Sequence, residues 1–282
     1  MQTTSYETKL QTLRIGFLGA GSIVEAMMDG MLKEGLLPAE QIWVTNRSNA
    51  ERLSYLHDQY NVCAVNDKEQ LIRSVDLLIL GIKPADAAKA CQELRGLVRP
   101  NQLVISVVAG VSTELIGSWL GTDCPVVRAM PSTSSAVGLS TTGIAPGRYA
   151  DETHLQLARL LFSSIGYVHI VPEQEIDIIT GLAASGPAFI YYLVEAMEGA
   201  GVTAGLSPAM AREMTVQTLH GAAQMLMQTK TEPAVLRQKI TSPGGTTQAG
   251  LEVLNRYDFQ KAVSSAILRA TERSRELGAQ HE

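Results

Sequence analysis

The sequence predicts an α/β fold: an N-terminal Rossmann-type doubly wound sheet followed by an all-α C-terminal dimerisation domain. Three observations lead there. Short β-branched runs alternate with helical stretches from Leu13 to about Val171. A Gly19-Ala20-Gly21 turn joins the first strand candidate to the first helix candidate. After Pro172 the strand signal stops, and helical segments rich in small residues fill the rest.

The strand candidates are Leu13 to Leu18, Gln41 to Thr45, Val62 to Val65, Asp76 to Ile82, Leu103 to Val108 and Val126 to Ala129. Several are nearly continuous apolar runs, as strands buried on both faces of a parallel sheet require. Ser22 to Glu34, Ala50 to Gln59 and Ala85 to Leu97 read as the crossover helices. Leu139 to Ile144 and Tyr167 to Val171 extend the sheet. Beyond Pro172, helices are expected over Glu173 to Gly199, Pro208 to Thr229, Pro233 to Lys239, Thr247 to Leu254 and Phe259 to Leu277. Ser207-Pro208 supplies an N-cap and a first-turn proline. Gly278 stands where a terminating glycine belongs. Pro187 should kink the first of these helices. The domains are therefore read as residues 1–171 and 172–282. Gly181, Ala183, Ala184, Ser185, Gly186, Ala188, Gly199, Ala200, Gly201 and Ala204 allow close helix contact, which fits a core shared between subunits, favoured by the small size of a lone helical domain, or an ordinary bundle within one chain.

Composition excludes several classes. The 282 residues carry a formal charge of -5 without a Lys/Arg run, which argues against nucleic acid and anionic membranes. Cys63, Cys91 and Cys124 have neither metal-site nor disulfide-framework spacing, which points to a reducing cytoplasm. No apolar run approaches the roughly 18 residues of a membrane span, and Met1 to Lys9 lacks the apolar core of a secretory leader. His57, His154, His169, His220 and His281 show no i, i+4 pairing, so no metal site is expected. Met210, Met214 and Met225 read as core packing.

The chemistry concentrates in two glycine-rich turns. In the first, Gly19 permits the tight turn and Gly21 lets the backbone approach a pyrophosphate. Ser22, Ile23 and Val24 open the helix, whose N–H groups and dipole favour an anion. Val24 departs from the dinucleotide fingerprint, which has a Gly or Ala there. The second strand ends Asn46-Arg47-Ser48 without an acid to hold a ribose 2′-hydroxyl. A guanidinium with amide and hydroxyl neighbours suits a 2′-phosphate, which predicts NADPH over NADH. Gly81, Ile82, Lys83 and Pro84 end another strand on the same side, and Pro84 should hold Lys83 extended. Val108, Ala109 and Gly110 are small enough to leave room for a nicotinamide ring. The second turn, Ser242-Pro243-Gly244-Gly245-Thr246-Thr247, reads in two ways: as consecutive N–H groups, a helix start and hydroxyls offered to a carboxylate or phosphate, or as a capped turn between two helices.

The blocks Gly181 to Phe189, Glu195 to Val202, Gln217 to Ala223 and Ser242 to Thr247 resemble the pyrroline-5-carboxylate reductase family. The Gly-Ala-Gly turn, Lys83-Pro84, Ser106 to Val111 and Arg128-Ala129-Met130-Pro131 match in order. The resemblance implies NADPH-dependent reduction of 1-pyrroline-5-carboxylate to L-proline, the last step of proline synthesis, by an interlocked homodimer; some members form rings of dimers. It implies that Gly19 to Val24 hold the pyrophosphate, Arg47 the 2′-phosphate, and Gly81 to Pro84 the nicotinamide side. It further implies that Ser242, Gly244, Gly245 and Thr246 bind the substrate carboxylate, that Thr247 hydrogen-bonds the ring nitrogen, and that Glu173 lies near the ligands. Ala183 and Ala184 stand where the family often has Ser and Gly, Ser132 and Ser134 where it has Asn and Pro, and Lys239 where some members carry Asn; these bear on substrate contacts. Two other readings are a hydroxyacid dehydrogenase of similar plan, which would need a catalytic Lys or His motif, and a non-catalytic dinucleotide-binding regulator.

Overall fold

The computed structural model describes residues 2–280; His281 lies outside them. The chain divides into two compact units, residues 1–185 with 268–282, and residues 186–267. The break at Pro172 marks the end of strand signal, but the first unit runs on to Ser185 and takes back the C-terminal turns. The cause is burial: Ile176, just past the break, is fully buried against Met130 and Ala145 of the sheet.

The first unit is built on one eight-stranded sheet, ordered β3-β2-β1-β4-β5-β6-β7-β8. The strands are β1 (Ile15–Leu18), β2 (Ile42–Thr45), β3 (Cys63–Ala64), β4 (Leu77–Leu80), β5 (Leu103–Ser106), β6 (Val126–Met130), β7 (Ser140–Pro146) and β8 (Gly166–Ile170). All neighbours run parallel except β6 and β7. Strands β1, β4 and β5 are buried at every residue, which is why they read as unbroken apolar runs. The helices are α1 (Gln2–Leu10), α2 (Ser22–Lys33), α3 (Ala50–Tyr60), α4 (Lys68–Ser74), α5 (Pro84–Glu93), α6 (Thr113–Leu120) and α7 (Glu152–Ser163). Helices α1, α4, α6 and α7 add to the three crossover helices named from the sequence. Three of them carry side-chain caps, from Asp67 to α4, Ser112 to α6 and Asp151 to α7. Two apolar clusters flank the sheet, one around Phe17, Met27 and Phe162, the other around Leu78, Cys91 and Leu120.

The expected single helix from Glu173 is segmented. A short α8 (Ile176–Ile179) passes into a π-helical turn, Thr180–Ala184, before α9 (Gly186–Thr203). Ser185 N–H donates to Thr180 O at 2.9 Å, the wide i→i−5 bond of that turn. Pro187 is the second residue of α9 and closely follows this π-helical turn, so the wide turn and the proline stand together in the helical run.

The second unit contains α9, α10 (Pro208–Thr229), α11 (Pro233–Lys239), α12 (Thr246–Arg256) and the start of α13 (Phe259–Ala279). Helices α9 and α10 pack closely; a Cβ on Gly201 would lie 3.1 Å from Ala211 Cβ. The rest of the unit is open within one chain. Met210, Met214 and Met225, expected in a core, are 45%, 56% and 50% exposed. The reason is a lack of intrachain cover: α9, α11 and α12 bury no residue. Contrary to the expected absence of a long apolar segment, the helical run Glu173–Thr203 has the length and composition of a membrane span, with 11% of its apolar window buried. Gly278 also differs from its expected place. It lies inside α13, where a Cβ would strike Gly110 O, so its smallness serves packing and not termination.

Candidate active site

Turn, helix start and strand ends meet in the first unit at the carboxyl edge of the sheet. Gly19 has φ +114°, and an added Cβ would overlap the Gly81 carbonyl, so only glycine fits. Gly21 is the N-cap of α2 and offers no side-chain cap to its free N–H groups. A Cβ on Gly21 would meet nothing within 4 Å. An uncapped helix start with an open approach is the geometry a pyrophosphate needs. The departure at Val24 has a structural answer: Val24 is fully buried, and its Cγ2 fills the volume a Cβ on Gly81 would take. The small residue that this packing needs is at the strand end and not on the helix.

Beside this turn lies a cleft of about 410 Å³, lined by Gly19, Asn46, Arg47, Lys68, Ile82, Asp86 and Lys89 among others. Asn46 shapes its floor by accepting from the Ser48 and Asn49 N–H groups at 2.9 and 2.7 Å. Arg47 projects into it and pairs with Asp86 at 2.9 Å. Lys83 is extended (φ −72°, ψ 147°), as its proline neighbour requires, and Pro84 is the first residue of α5. Val108 is buried. Gly110 packs closely on α13: a Cβ there would lie 2.8 Å from Ser274 O and 2.9 Å from Leu277 Cβ.

Glu25, in the first turn of α2, forms a cluster that sequence reading missed. Its Oε1 accepts from Tyr55 and Tyr60 hydroxyls at 3.1 and 3.2 Å, and its Oε2 pairs with Arg52. Burial pushes its carboxyl up, but hydrogen bonds from Arg52 and Tyr55 and the guanidinium charge bring it below the ordinary range. Tyr60 is pushed up to about 12 by burial and by Glu25.

Glu173 is engaged by Thr113. Its two oxygens accept from Thr113 N–H and Thr113 hydroxyl, both at 2.7 Å. Arg128, 3% exposed, stands 3.8 Å from Glu173 and 2.7 Å from Asp177, and Asp177 also accepts from Ser274 Oγ at 2.7 Å. Ser132, where the family often has Asn, is buried, and its N–H donates to Ser140 Oγ at 3.0 Å.

In the second unit, Ser242–Gly245 turns the chain into α12. Gly244 has φ +68°. The consecutive free N–H groups expected there are engaged: Gly244 N–H donates to Gln248 Oε1 at 2.9 Å and Gly245 N–H to Ser242 O at 3.0 Å. Glycine at 245 instead makes room for the Ser242 hydroxyl. Gly245 leaves the start of α12 without a side-chain cap, so Thr246 and Thr247 occupy an uncapped first turn. Among the described residues, no cluster of His, Cys, Asp and Glu is arranged to hold a metal ion. His57 and His154 serve local structure, with His57 Nδ1 2.9 Å from Val62 O and His154 in the capping box of α7. Cys91 and Cys124 are buried; Cys63 is only half-buried.

Comparison with known proteins agrees with this geometry. The family description "Pyrroline-5-carboxylate reductase dimerisation" matches residues 173–277, and "NADP oxidoreductase coenzyme F420-dependent" matches residues 14–110. Pyrroline-5-carboxylate reductase 1 of Bacillus spizizenii is 45% identical over 264 residues, covering 94% of this chain and 89% of that protein. The solved pyrroline-5-carboxylate reductase of Coxiella burnetii is 34% identical with a TM-score of 0.86, covering 94% of this chain and 98% of the other. The Plasmodium falciparum pyrroline carboxylate reductase, solved with NADP bound, is 25% identical with a TM-score of 0.87 over 95% of this chain and 99% of the other. The fold and the first turn define an oxidoreductase that uses a nicotinamide cofactor, with a helical oligomerisation domain. Within that class, the chain belongs to the pyrroline-5-carboxylate reductase family.

Proposed function

We propose that this chain reduces 1-pyrroline-5-carboxylate to L-proline with NADPH, as the last step of proline synthesis. The observation that carries the reading is the pair of uncapped helix starts, α2 after Gly21 and α12 after Gly245, on a chain 45% identical to a named reductase. The bound dihydronicotinamide supplies the hydride, and solvent supplies the proton that completes the amine. The chain's own part is positioning. Gly19 to Val24 hold the pyrophosphate. Asn46, Arg47 and Ser48 take the 2′-phosphate, with no acid at the end of β2 to favour a free 2′-hydroxyl. Gly81 to Pro84, Val108 and Ala109 line the nicotinamide side, and Gly110 supports them through its packing on α13.

Ser242, Gly244, Gly245 and Thr246 bind the substrate carboxylate through hydroxyls and the α12 start; Gln248 must release the Gly244 N–H for that donor to act. Thr247 hydrogen-bonds the imine nitrogen and relays a proton through water, because a threonine hydroxyl is too weak an acid to act alone. Glu173 acts by holding the Arg128 network. The exposed apolar helices of the second unit are covered in a homodimer, and rings of dimers are its higher assembly. Three cysteines without a disulfide suit a reducing cytoplasm.

The test is reduced-nicotinamide oxidation with the five-membered imine, beside NADH and a six-membered analogue. Turnover fastest with the five-membered imine and NADPH is the expected result. Cofactor binding without turnover on any imine would overturn the reading.

A further inference from the structure

We propose that Arg52 is a positioning residue for dinucleotide binding: it fixes the Gly-Ala-Gly turn and neutralises Glu25 without touching the cofactor. This rests on the reading that the turn from Gly19 to Val24 receives the pyrophosphate. Arg52 lies on α3, and its side chain is 25% exposed. Its Nε donates to the carbonyl of Ala20, the middle residue of the turn, at 3.0 Å. One guanidinium nitrogen pairs with Glu25 in the first turn of α2. Its carbon sits 5.1 Å from the centroid of the Tyr55 ring, which limits its swing.

Each contact has a consequence for an anion at the α2 start. A carbonyl in the turn is a partial negative charge, and the Arg52 bond holds the Ala20 oxygen towards α3. Glu25 places a full negative charge one helical turn from Gly21, where it would oppose a pyrophosphate and cancel part of the helix dipole's benefit. Arg52 balances that charge, and Tyr55 and Tyr60 hydroxyls hold the carboxylate on the α3 side. Gly21 has neither a side chain nor a cap to stiffen the turn, so the α3 contact supplies the order that the glycines give up.

The test uses the full-length protein with Arg52→Met, Arg52→Lys and the double variant Arg52→Met with Glu25→Gln. All keep the backbone cap, since Arg52 N–H, not its side chain, donates to Asn49 Oδ1. Binding is measured for NADPH and for 2′-AMP, which carries the 2′-phosphate but no pyrophosphate. Arg52→Met should raise the Kd for NADPH roughly ten-fold and move that for 2′-AMP by less than about two-fold. The kinetic loss should fall in the KM for NADPH and not in kcat. Lysine, which keeps the charge but not the Ala20 bond, should lie between, and removing Glu25 charge in the double variant should recover about half of the logarithmic loss. NADPH binding within about two-fold of wild type in Arg52→Met would overturn the proposal. So would equal weakening of 2′-AMP, which signals general disorder. Wild-type protein that binds 2′-AMP but not NADPH would instead refute the underlying pyrophosphate assignment.

Discussion

Val24 and Gly81 form a reciprocal pair, and their coupling is measurable. Val24→Ala removes two methyl groups at a fully buried site. At about 0.8 kcal/mol per group plus a cavity contribution, the loss is about 2 kcal/mol. Gly81→Ala drives a new Cβ into Val24 Cγ2; its backbone is not in the left-handed region, so the cost is overpacking, about 1–3 kcal/mol. Independent effects would sum to about 4 kcal/mol in the double variant. The structure says otherwise. With Val24 shortened, the nearest atoms to the new Cβ are Leu18 O at 3.8 Å and the residue-24 Cβ at 3.9 Å, both ordinary contacts. The added methyl then refills part of the hole, leaving the double variant about 1 kcal/mol below wild type. Thermal melts at fixed protein concentration resolve this, since about 1 kcal/mol moves the Tm by roughly 2–4 °C in a chain near this size. NADPH binding should follow the same order. Additive losses, to within about 0.5 kcal/mol, would refute the claim that a small strand-end residue replaces the small helix residue of the fingerprint.

Thr247→Val should lower kcat/KM for the imine more than it alters NADPH affinity; unchanged turnover at saturating imine would remove Thr247 from the reaction. Arg47→Ala should raise the KM for NADPH and leave that for NADH nearly constant, which steady-state kinetics with both cofactors will show. Arg128→Met should destabilise by about 3–5 kcal/mol in thermal melts, because it strands Asp177 and Glu173 without their buried cation. Glu25, whose carboxyl is depressed in the fold, contributes stability that is complete above the unfolded carboxylate range and is lost as pH falls through its folded value. Glu25→Gln should therefore flatten the acid side of a Tm-against-pH curve, and an unchanged acid limb would count against the cluster.

What the sequence made legible was local. The Gly-Ala-Gly turn announces itself because strand, glycines and helix are contiguous, and α10 was placed to the residue by Ser207-Pro208, whose serine accepts from Met210 N–H. The α4 and α6 helices went unseen because each spans at most eight residues, too short for a clear apolar period. The π turn was hidden behind a proline whose usual effect is a kink. Long-range pairings left no trace: Asp177 meets Arg128 across 49 residues and Ser274 across 97. For the same reason the pairing of Glu173 with Thr113, 60 residues away, has no sequence signal. The glycines of Ser242 to Thr247 were legible as a turn, but Gln248, four residues on, decides which N–H groups remain available.

The charge balance ties these findings together. A chain of net charge -5 must, on the proposed function, receive a phosphorylated dinucleotide and a carboxylate substrate, so any free acid near its binding turns would oppose both. In the first unit the acids around the cleft and the first turn are engaged, Glu25 by Arg52, Asp86 by Arg47, Glu93 by Lys68 and Asp67 as the cap of α4, and away from the cleft Arg128 pairs with Asp177 and faces Glu173. The pairs differ in what the arginine can still do. Arg128 is buried between two acids and its role is structural. Arg52 is half-committed to a backbone carbonyl and sets the shape of a turn. Arg47 is 76% exposed and holds a single partner in the cleft, so a 2′-phosphate can compete for it by offering more charge and more acceptors than Asp86. Imine reduction needs no strong acid from the protein once the ring and the hydride donor are aligned. The acids near these turns are thus free to serve the fold, and exposure of the paired arginine separates a scaffold residue from a ligand residue.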